Sequence, residues 1–195
     1  SVAFGYPDFD EWYDVATGVA DGHIYGRNTN PTVAVFEEKI RLLEGGEAAT
    51  SASTGMAAIS NTLHALLRPG DRVVSVKDTY GGTSLLFTEF LPSFGITCDL
   101  IDTTDTEAIE AAVSQGCDLL YLETPTNPTL KVLDLHRLIA AGHEVNATVV
   151  VDNTFATPMN QLPLSLGADL VVHSATKFLG GHADALGGVV VGHAD

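Results

Sequence analysis

The chain has 195 residues, of which 45% are apolar, and is long enough to bury the core of one substantial domain. Its 25 Asp and Glu residues outnumber the 9 Lys and Arg residues, so the formal net charge is −16. Because this charge repels nucleic-acid phosphates and anionic lipid headgroups, we expect neither a nucleic acid nor a membrane as a partner. The acidity indicates either a solvated acidic surface or adaptation to high salt, and composition leaves both open.

Neither the cysteines nor the N-terminal residues point to a metal site or to export. Cys98 and Cys117 lie far apart and lack the paired spacing of a zinc site or a disulfide framework. Residues 1–22 are aromatic and acidic, without the basic start and apolar run of a signal peptide. No apolar stretch approaches the length that spans a bilayer. We therefore expect a cytoplasmic protein without a bound metal.

Helical and strand-like segments alternate along the chain. Helices are predicted from caps, breakers and apolar spacing, and strands from short apolar runs. In chain order, the sequence predicts a helix from Asn30-Pro31 to Gly45-Gly46, a helix from 53–55 to 67, a strand at 72–76, helices at 83–91 and 105–114, a strand at 119–122, a helix at 135–141, strands at 148–151 and 170–172, and strand character at 187–192.

Short, wholly apolar strands separated by helices are typical of a parallel sheet that is covered on both faces. The sequence therefore predicts an α/β fold with a mostly parallel sheet. We expect one domain at residues 31–195, preceded by an irregular N-terminal segment at 1–30.

Polar groups follow three of the predicted strands, where ligands gather in sheets of this kind. Glu123 opens the first group, Asp152 opens the second, and the third runs from His173 to Lys177. An acid and a lysine in these places could form a structural ion pair, and for a lone Asp152 and Lys177 that interpretation would be preferred.

The neighbours of Lys177 favour an anion site instead. Ser174 and Thr176 place two hydroxyl groups beside it, and Ser53-Thr54-Gly55-Met56 opens a helix whose free backbone N–H groups attract an anion. The chain lacks the glycine pattern of a dinucleotide site and the Gly-Lys-Ser/Thr signature of a phosphate loop. A phosphate site, a lysine and a strand-end carboxylate together are what pyridoxal phosphate requires.

Ordered motifs from about Tyr25 to the end of the chain make this interpretation specific. The sequence resembles the Cys/Met-metabolism, or transsulfuration, family of pyridoxal-phosphate enzymes. The motifs are Tyr25-Gly26-Arg27, Asn30-Pro31-Thr32, Ser53-Thr54-Gly55-Met56-Ala57-Ala58, Tyr80-Gly81-Gly82-Thr83, Glu123-Thr124-Pro125-Thr126-Asn127-Pro128, Asp152-Asn153-Thr154, His173-Ser174-Ala175-Thr176-Lys177 and Gly181-His182-Ala183-Asp184.

The resemblance implies catalytic roles for Lys177 and Tyr80. Lys177 would hold the cofactor as a Schiff base and, once released, move protons at the substrate Cα and Cβ. Tyr80 would stack on the cofactor ring and act as a general acid/base near the leaving group. Asp152 would pair with the ring nitrogen, and Asn127 would contact the phenolic oxygen.

The remaining implied roles concern the cofactor phosphate. The backbone N–H groups of Gly55 and Met56, with Ser174 and Thr176, would bind it within one subunit. Tyr25 and Arg27 would instead reach the phosphate that is bound by a neighbouring subunit. This implies a homo-oligomer, usually a dimer of dimers. His173 and His182 are expected to be structural.

The implied fold is the large domain of the aspartate-aminotransferase type, with the smaller C-terminal domain and its carboxylate-binding arginine absent from this chain. The implied activity is γ-replacement or γ-elimination on a sulfur-containing or O-acylated homoserine-type amino acid, of the cystathionine γ-synthase or γ-lyase type. O-acetylhomoserine sulfhydrylase and methionine γ-lyase activities are alternatives, although Gly82 replaces a cysteine typical of well-studied methionine γ-lyases. A non-catalytic α/β binding domain is the alternative from another class.

Overall fold

The centre of the structure, a computed structural model that describes residues 2–194, is a seven-stranded sheet. The strands are β1 (Ala48–Ala52), β2 (Arg72–Val76), β3 (Thr97–Ile101), β4 (Leu119–Glu123), β5 (Thr148–Asp152), β6 (Leu170–Ser174) and β7 (Gly188–Gly192). Their order across the sheet is β1-β7-β6-β5-β4-β2-β3. The pairs from β3 through β6 are parallel, whereas β7 is antiparallel to both of its neighbours. The mostly parallel α/β sheet predicted from the sequence is confirmed.

Helices occupy most of the connections between these strands. They are α1 (Phe9–Ala16), α2 (Pro31–Glu44), α3 (Gly55–Leu66), α4 (Gly81–Leu85), α5 (Leu91–Ser93), α6 (Thr106–Val113), α7 (Leu135–Glu144) and α8 (Thr157–Asn160), with a π-helical turn at Leu86–Phe90 and a 3-10 turn at Pro163–Leu166. Side-chain caps fix several starts: Asp105 accepts from Ala108 N, and Asp134 accepts from Arg137 N. Between residues 2 and 194, no helix combines the length and the apolar character needed to cross a membrane.

The apolar core lies on both faces of the sheet. Alternate residues of one strand point to opposite faces, so Leu120 packs in the cluster that contains Leu138 of α7. Leu119 packs in the second cluster, which contains Leu63 of α3 and Phe87. Burial on both faces explains why the central strands read as unbroken apolar runs rather than as alternating patterns.

The chain divides into two compact units, Ser1–Lys39 and Ile40–Asp195. The second unit holds the whole sheet. Within the first unit, the Tyr6 hydroxyl donates to the His23 carbonyl at 2.9 Å, and Asp8 caps α1 by accepting from Glu11 N at 2.9 Å. The expectation that residues 1–30 are irregular needs correction, because they contain α1; residues 1 and 195 lie outside the described part of the chain.

Two strands, β1 and β3, were not predicted. β1 reads Ala-Ala-Thr-Ser-Ala and lacks the apolar pattern that marks a strand. β3 is an edge strand, and its Asp99 pairs with Arg72 on the neighbouring strand at 2.5 Å. The position of each strand in the sheet, rather than its own composition, determines these two elements.

Candidate active site

An open cavity of about 730 Å³ lies at the carboxyl ends of β4, β5 and β6. Residues of the second unit line it: Thr54, Gly55, Met56, Ile59, Tyr80, Glu123, Pro125, Asn127, Asp152, Thr154, Phe155, Ser174, Thr176, Lys177 and Leu186. The cavity therefore brings together all eight of the candidate site residues that lie in this unit.

The N-terminus of α3 forms one wall of the cavity. Thr54 caps the helix by accepting from Ala57 N at 3.0 Å, while the leading N–H groups of a helix have no intrahelical acceptor. Gly55, the first helical residue, lies so close to β6 that a Cβ atom there would be 2.6 Å from Ser174 Oγ. Backbone donors and a hydroxyl thus share one end of the cavity, which suits an anion.

Thr176 and Lys177 lie on the turn that follows β6. The Thr176 hydroxyl donates to the Gly187 carbonyl at 3.3 Å and accepts from Gly187 N at 3.1 Å, which ties this turn to the segment before β7. Lys177 N donates to the Ser174 carbonyl at 3.1 Å. The side chain of Lys177 is exposed, and within residues 2–194 its Nζ has neither a hydrogen bond nor a salt bridge.

Asp152 is the buried carboxylate of the cavity. Its Oδ2 accepts from the Tyr121 hydroxyl at 3.2 Å and its Oδ1 from Thr154 N at 3.0 Å. Burial raises the pKa of Asp152 above its usual value, since desolvation disfavours the charged form. Across residues 2–194 Asp152 forms no salt bridge. Lys177 and Asp152 therefore do not form the ion pair that their positions in the sequence allowed.

Glu123 lies beside Asp152 on the neighbouring strand, in direct register with it. Its Oε2 accepts from Tyr80 N at 2.9 Å and its Oε1 from Asn127 N at 2.7 Å. Burial, and to a smaller extent the negative charge of Asp152, raises the pKa of Glu123 to about 8. The sequence marked Glu123 as a strand-end acid without giving it a role at the site.

Tyr80 immediately precedes α4, and 45% of it is exposed. Gly82 leaves room beside it: a Cβ atom at Gly82 would be 2.9 Å from Tyr80 Cε1 and 2.8 Å from Met56 Sδ. A larger residue at position 82 would therefore displace Tyr80 or Met56.

Tyr25 and Arg27 belong to the first unit, unlike the residues that line the cavity. The Arg27 guanidinium lies over the Tyr25 ring at 5.3 Å, a cation–π contact. Their expected role toward a neighbouring subunit stays a prediction.

His173 lies on β6, and its expected structural role stays a prediction. It is fully buried, and its Nε2 lies 2.5 Å from Glu44 Oε1, an atom that also accepts from Asn153 Nδ2 at 2.9 Å. His182 Nδ1 lies 3.0 Å from the Gly180 carbonyl.

Replacing Gly55 with alanine is expected to weaken the anion site. The new Cβ would be 2.5 Å from Ser174 Cβ and 2.8 Å from Ser174 Cα, so α3 must move away from β6. Overpacking of this kind costs about 1–3 kcal/mol of stability. We expect Gly55→Ala to lose pyridoxal-phosphate affinity by a factor of about 10 or more, measured by titration of the cofactor.

Gly81→Ala provides the matched control. Gly81 is the first residue of α4, as Gly55 is of α3, but nothing lies within 4 Å of a Cβ atom built there. Equal losses of affinity in the two variants would contradict the importance of the close approach between α3 and Ser174.

The fold and the cavity together define an α/β cofactor-binding domain with a lysine, a buried carboxylate and an anion-binding helix start at the ends of its strands. The chain belongs to the family of Cys/Met metabolism PLP-dependent enzymes, whose family model matches residues 1–195.

Several relatives and solved structures share this family. L-Methionine gamma-lyase of Fusobacterium nucleatum subsp. nucleatum is 49% identical over 171 residues, which cover 87% of this chain and 43% of that protein. Cystathionine gamma-lyase of Bacillus subtilis is 45% identical, with 89% and 46% covered. The structure of cystathionine gamma synthase from Xanthomonas oryzae pv. oryzae has a TM-score of 0.88 at 40% identity, with 98% and 48% covered. The chain thus spans about half the length of the relatives it matches.

The residues of the cavity fit pyridoxal phosphate, the cofactor of this family. The N-terminus of α3 and Ser174 offer donors to a phosphate. The amine of Lys177 has no hydrogen-bond or salt-bridge partner in the described residues. Asp152 is buried without a salt bridge there, and a protonated ring nitrogen would supply the positive charge to pair with it. These three groups lie in one cavity.

Proposed function

We propose that this chain binds pyridoxal phosphate through Lys177 and forms the cofactor-binding part of an enzyme that acts at Cγ of an amino acid. The observation that carries the proposal is the shared cavity, in which neither the Lys177 amine nor the buried Asp152 carboxylate forms a salt bridge within residues 2–194. Membership of the family supports it independently.

Each remaining candidate has a proposed task at the cofactor. The Gly55 and Met56 backbone groups, with the Ser174 and Thr176 hydroxyls, bind the phosphate. The Thr176 hydroxyl already hydrogen-bonds with Gly187, so its contribution to phosphate binding depends on the rotation of this hydroxyl.

The ring contacts of the cofactor come from other residues. Asp152 would hold the ring nitrogen in its protonated form, Tyr80 would lie against the ring, and Asn127 would contact the phenolic oxygen. When bound, the cofactor supplies an electron sink for the carbanion at the substrate. Lys177 moves protons at the substrate Cα and Cβ, and Tyr80 serves as general acid/base near the leaving group.

The proposed reaction is γ-replacement or γ-elimination on a sulfur-containing or O-acylated homoserine-type amino acid, of the cystathionine γ-synthase or γ-lyase type. Attack by cysteine or sulfide after loss of the γ-substituent gives replacement, whereas hydrolysis to a keto acid and ammonia gives elimination. The identity to L-methionine gamma-lyases favours that activity as a second candidate.

Substrate assays on the protein that carries this chain separate these activities. O-acetylhomoserine is supplied with sulfide and then with cysteine, and cystathionine and methionine are each supplied alone. The proposal predicts turnover of at least one of the four and covalent retention of pyridoxal phosphate. A preparation that stays colourless with added cofactor would instead favour the non-catalytic binding domain.

We infer in addition a homo-oligomer, built as a dimer of dimers, that is located in the cytoplasm. The support is the Tyr25 and Arg27 pair, which the family resemblance assigns to the neighbouring subunit's phosphate. Light scattering should give the mass of a dimer or tetramer, and a monomer at working concentration would contradict the assembly.

The net charge of −16 supports adaptation to high salt. We expect the melting temperature to rise as KCl is increased to molar concentration, because salt screens the repulsion among surface carboxylates. Thermal unfolding followed by circular dichroism measures this. A melting temperature that does not respond to KCl would remove the high-salt interpretation.

A further inference from the structure

We propose that Glu123 is a positioning residue of the site. Its two carboxyl oxygens hold the backbones of Tyr80 and Asn127 in place, so that the side chains of both residues can contact the same cofactor ring. This inference rests on the proposed function for the roles of Tyr80 and Asn127. Glu123 itself is given no contact with the reacting atoms.

The geometry links two loops through one side chain. Glu123 is the last residue of β4 and is only 4% exposed. Its Oε2 accepts from Tyr80 N at 2.9 Å, and Tyr80 begins the connection from β2 into α4. Its Oε1 accepts from Asn127 N at 2.7 Å, in the loop that follows β4 itself. Each oxygen therefore fixes one wall of the cavity.

A buried acid is an unfavourable choice for this place unless its bonds are needed. Burial makes the ionised form of Glu123 costly, and together with the charge of neighbouring Asp152 it raises the pKa of Glu123 to about 8. Asp78 adds to this effect. The two backbone N–H donors oppose it, since each stabilises negative charge on the oxygen that it contacts.

Neither backbone donor is expected to find a good substitute when the carboxyl group is removed. A buried N–H group left without an acceptor costs about 1–3 kcal/mol, so the loops would shift instead. Because Tyr80 and Asn127 line the same cavity, such a shift changes the site without removing either side chain.

The first test uses hydrogen exchange in the cofactor-free protein, and so does not depend on catalysis. In Glu123→Gln, the amide offers one acceptor oxygen where the carboxyl group had two, so only one of the two N–H bonds can persist. We expect faster exchange in peptides that cover residues 78–82 or 125–129, with α6 unchanged. Wild-type exchange in both peptides would overturn the proposal.

The second test is a double-mutant cycle on cofactor affinity. We expect Glu123→Gln to weaken the Kd for pyridoxal phosphate about tenfold in the wild-type background, and by less than about threefold when Tyr80→Ala and Asn127→Ala are already present. A purely structural role would give the same factor in both backgrounds and would overturn the proposal. Glu89→Gln, at an exposed glutamate, is the control and should leave the Kd unchanged.

Failure of the proposed function gives a different result. If the wild-type chain does not bind pyridoxal phosphate, the site assignment is wrong, while the exchange experiment still decides whether Glu123 holds the two loops.

Discussion

Lys177→Ala is expected to abolish covalent retention of pyridoxal phosphate. Lys177 supplies the one lysine amine among the residues that line the cavity, and it carries no partner within residues 2–194 that competes for it. The purified variant should lose its yellow colour on gel filtration, whereas the wild type should keep it.

The fold should survive this substitution. Because Lys177 is exposed and its side chain forms no hydrogen bond or salt bridge in the described residues, its removal should change stability by no more than about 0.5 kcal/mol. Lys39→Ala, at an exposed lysine of α2, is the control and should remain yellow. Wild-type turnover in Lys177→Ala would show that the whole assignment is wrong.

Asp152→Asn is expected to weaken cofactor binding and to stabilise the cofactor-free protein. The carboxylate is buried and no salt bridge neutralises it within residues 2–194, so its charge is costly until a cation binds. Asparagine removes the charge with little change of shape. Loss of a hydrogen bond to a charged group costs about 1.5–3 kcal/mol, which corresponds to a loss of affinity of roughly 10- to 150-fold.

The pH dependence of stability has a definite sign. Burial raises the pKa of Asp152 in the folded state, so the folded protein binds more protons than the unfolded chain at pH values above the ordinary Asp range. Stability of the cofactor-free wild type therefore falls as the pH rises through that window. In Asp152→Asn this contribution is absent, and the melting temperature should exceed that of the wild type more at pH 8 than at pH 4.

Thermal unfolding at a series of pH values, with and without pyridoxal phosphate, measures both effects. Asp21→Asn, at an exposed aspartate of the first unit, controls for the loss of one negative charge. A variant that binds the cofactor as tightly as the wild type would exclude Asp152 as the partner of the ring nitrogen.

Much of the fold follows from local sequence. β2 was predicted with its observed bounds, because an unbroken apolar run is what burial on both faces of a parallel sheet requires. β1 could not be predicted, since Ala, Thr and Ser alone do not distinguish a strand from a loop. Its pairing with β7, which joins Ala48 to Gly192 and Ala52 to Gly188, is a tertiary property rather than a local one.

The site was predictable where it coincides with strand ends. Asp152 and Lys177 were placed by the rule that polar groups at the carboxyl ends of parallel strands converge. The bonds of Glu123 were not predictable, because one of its partners, Tyr80, is 43 residues away in the chain. Contacts of this kind depend on the register between β4 and the β2 connection, which no local pattern encodes.

Borohydride reduction of the protein loaded with pyridoxal phosphate, followed by peptide mapping, tests the central claim most directly. Reduction makes the bond between the cofactor and its lysine permanent, so the modified peptide identifies the residue. We predict a single modified peptide that contains Lys177. Modification at another lysine, or no modification at all, would contradict the account.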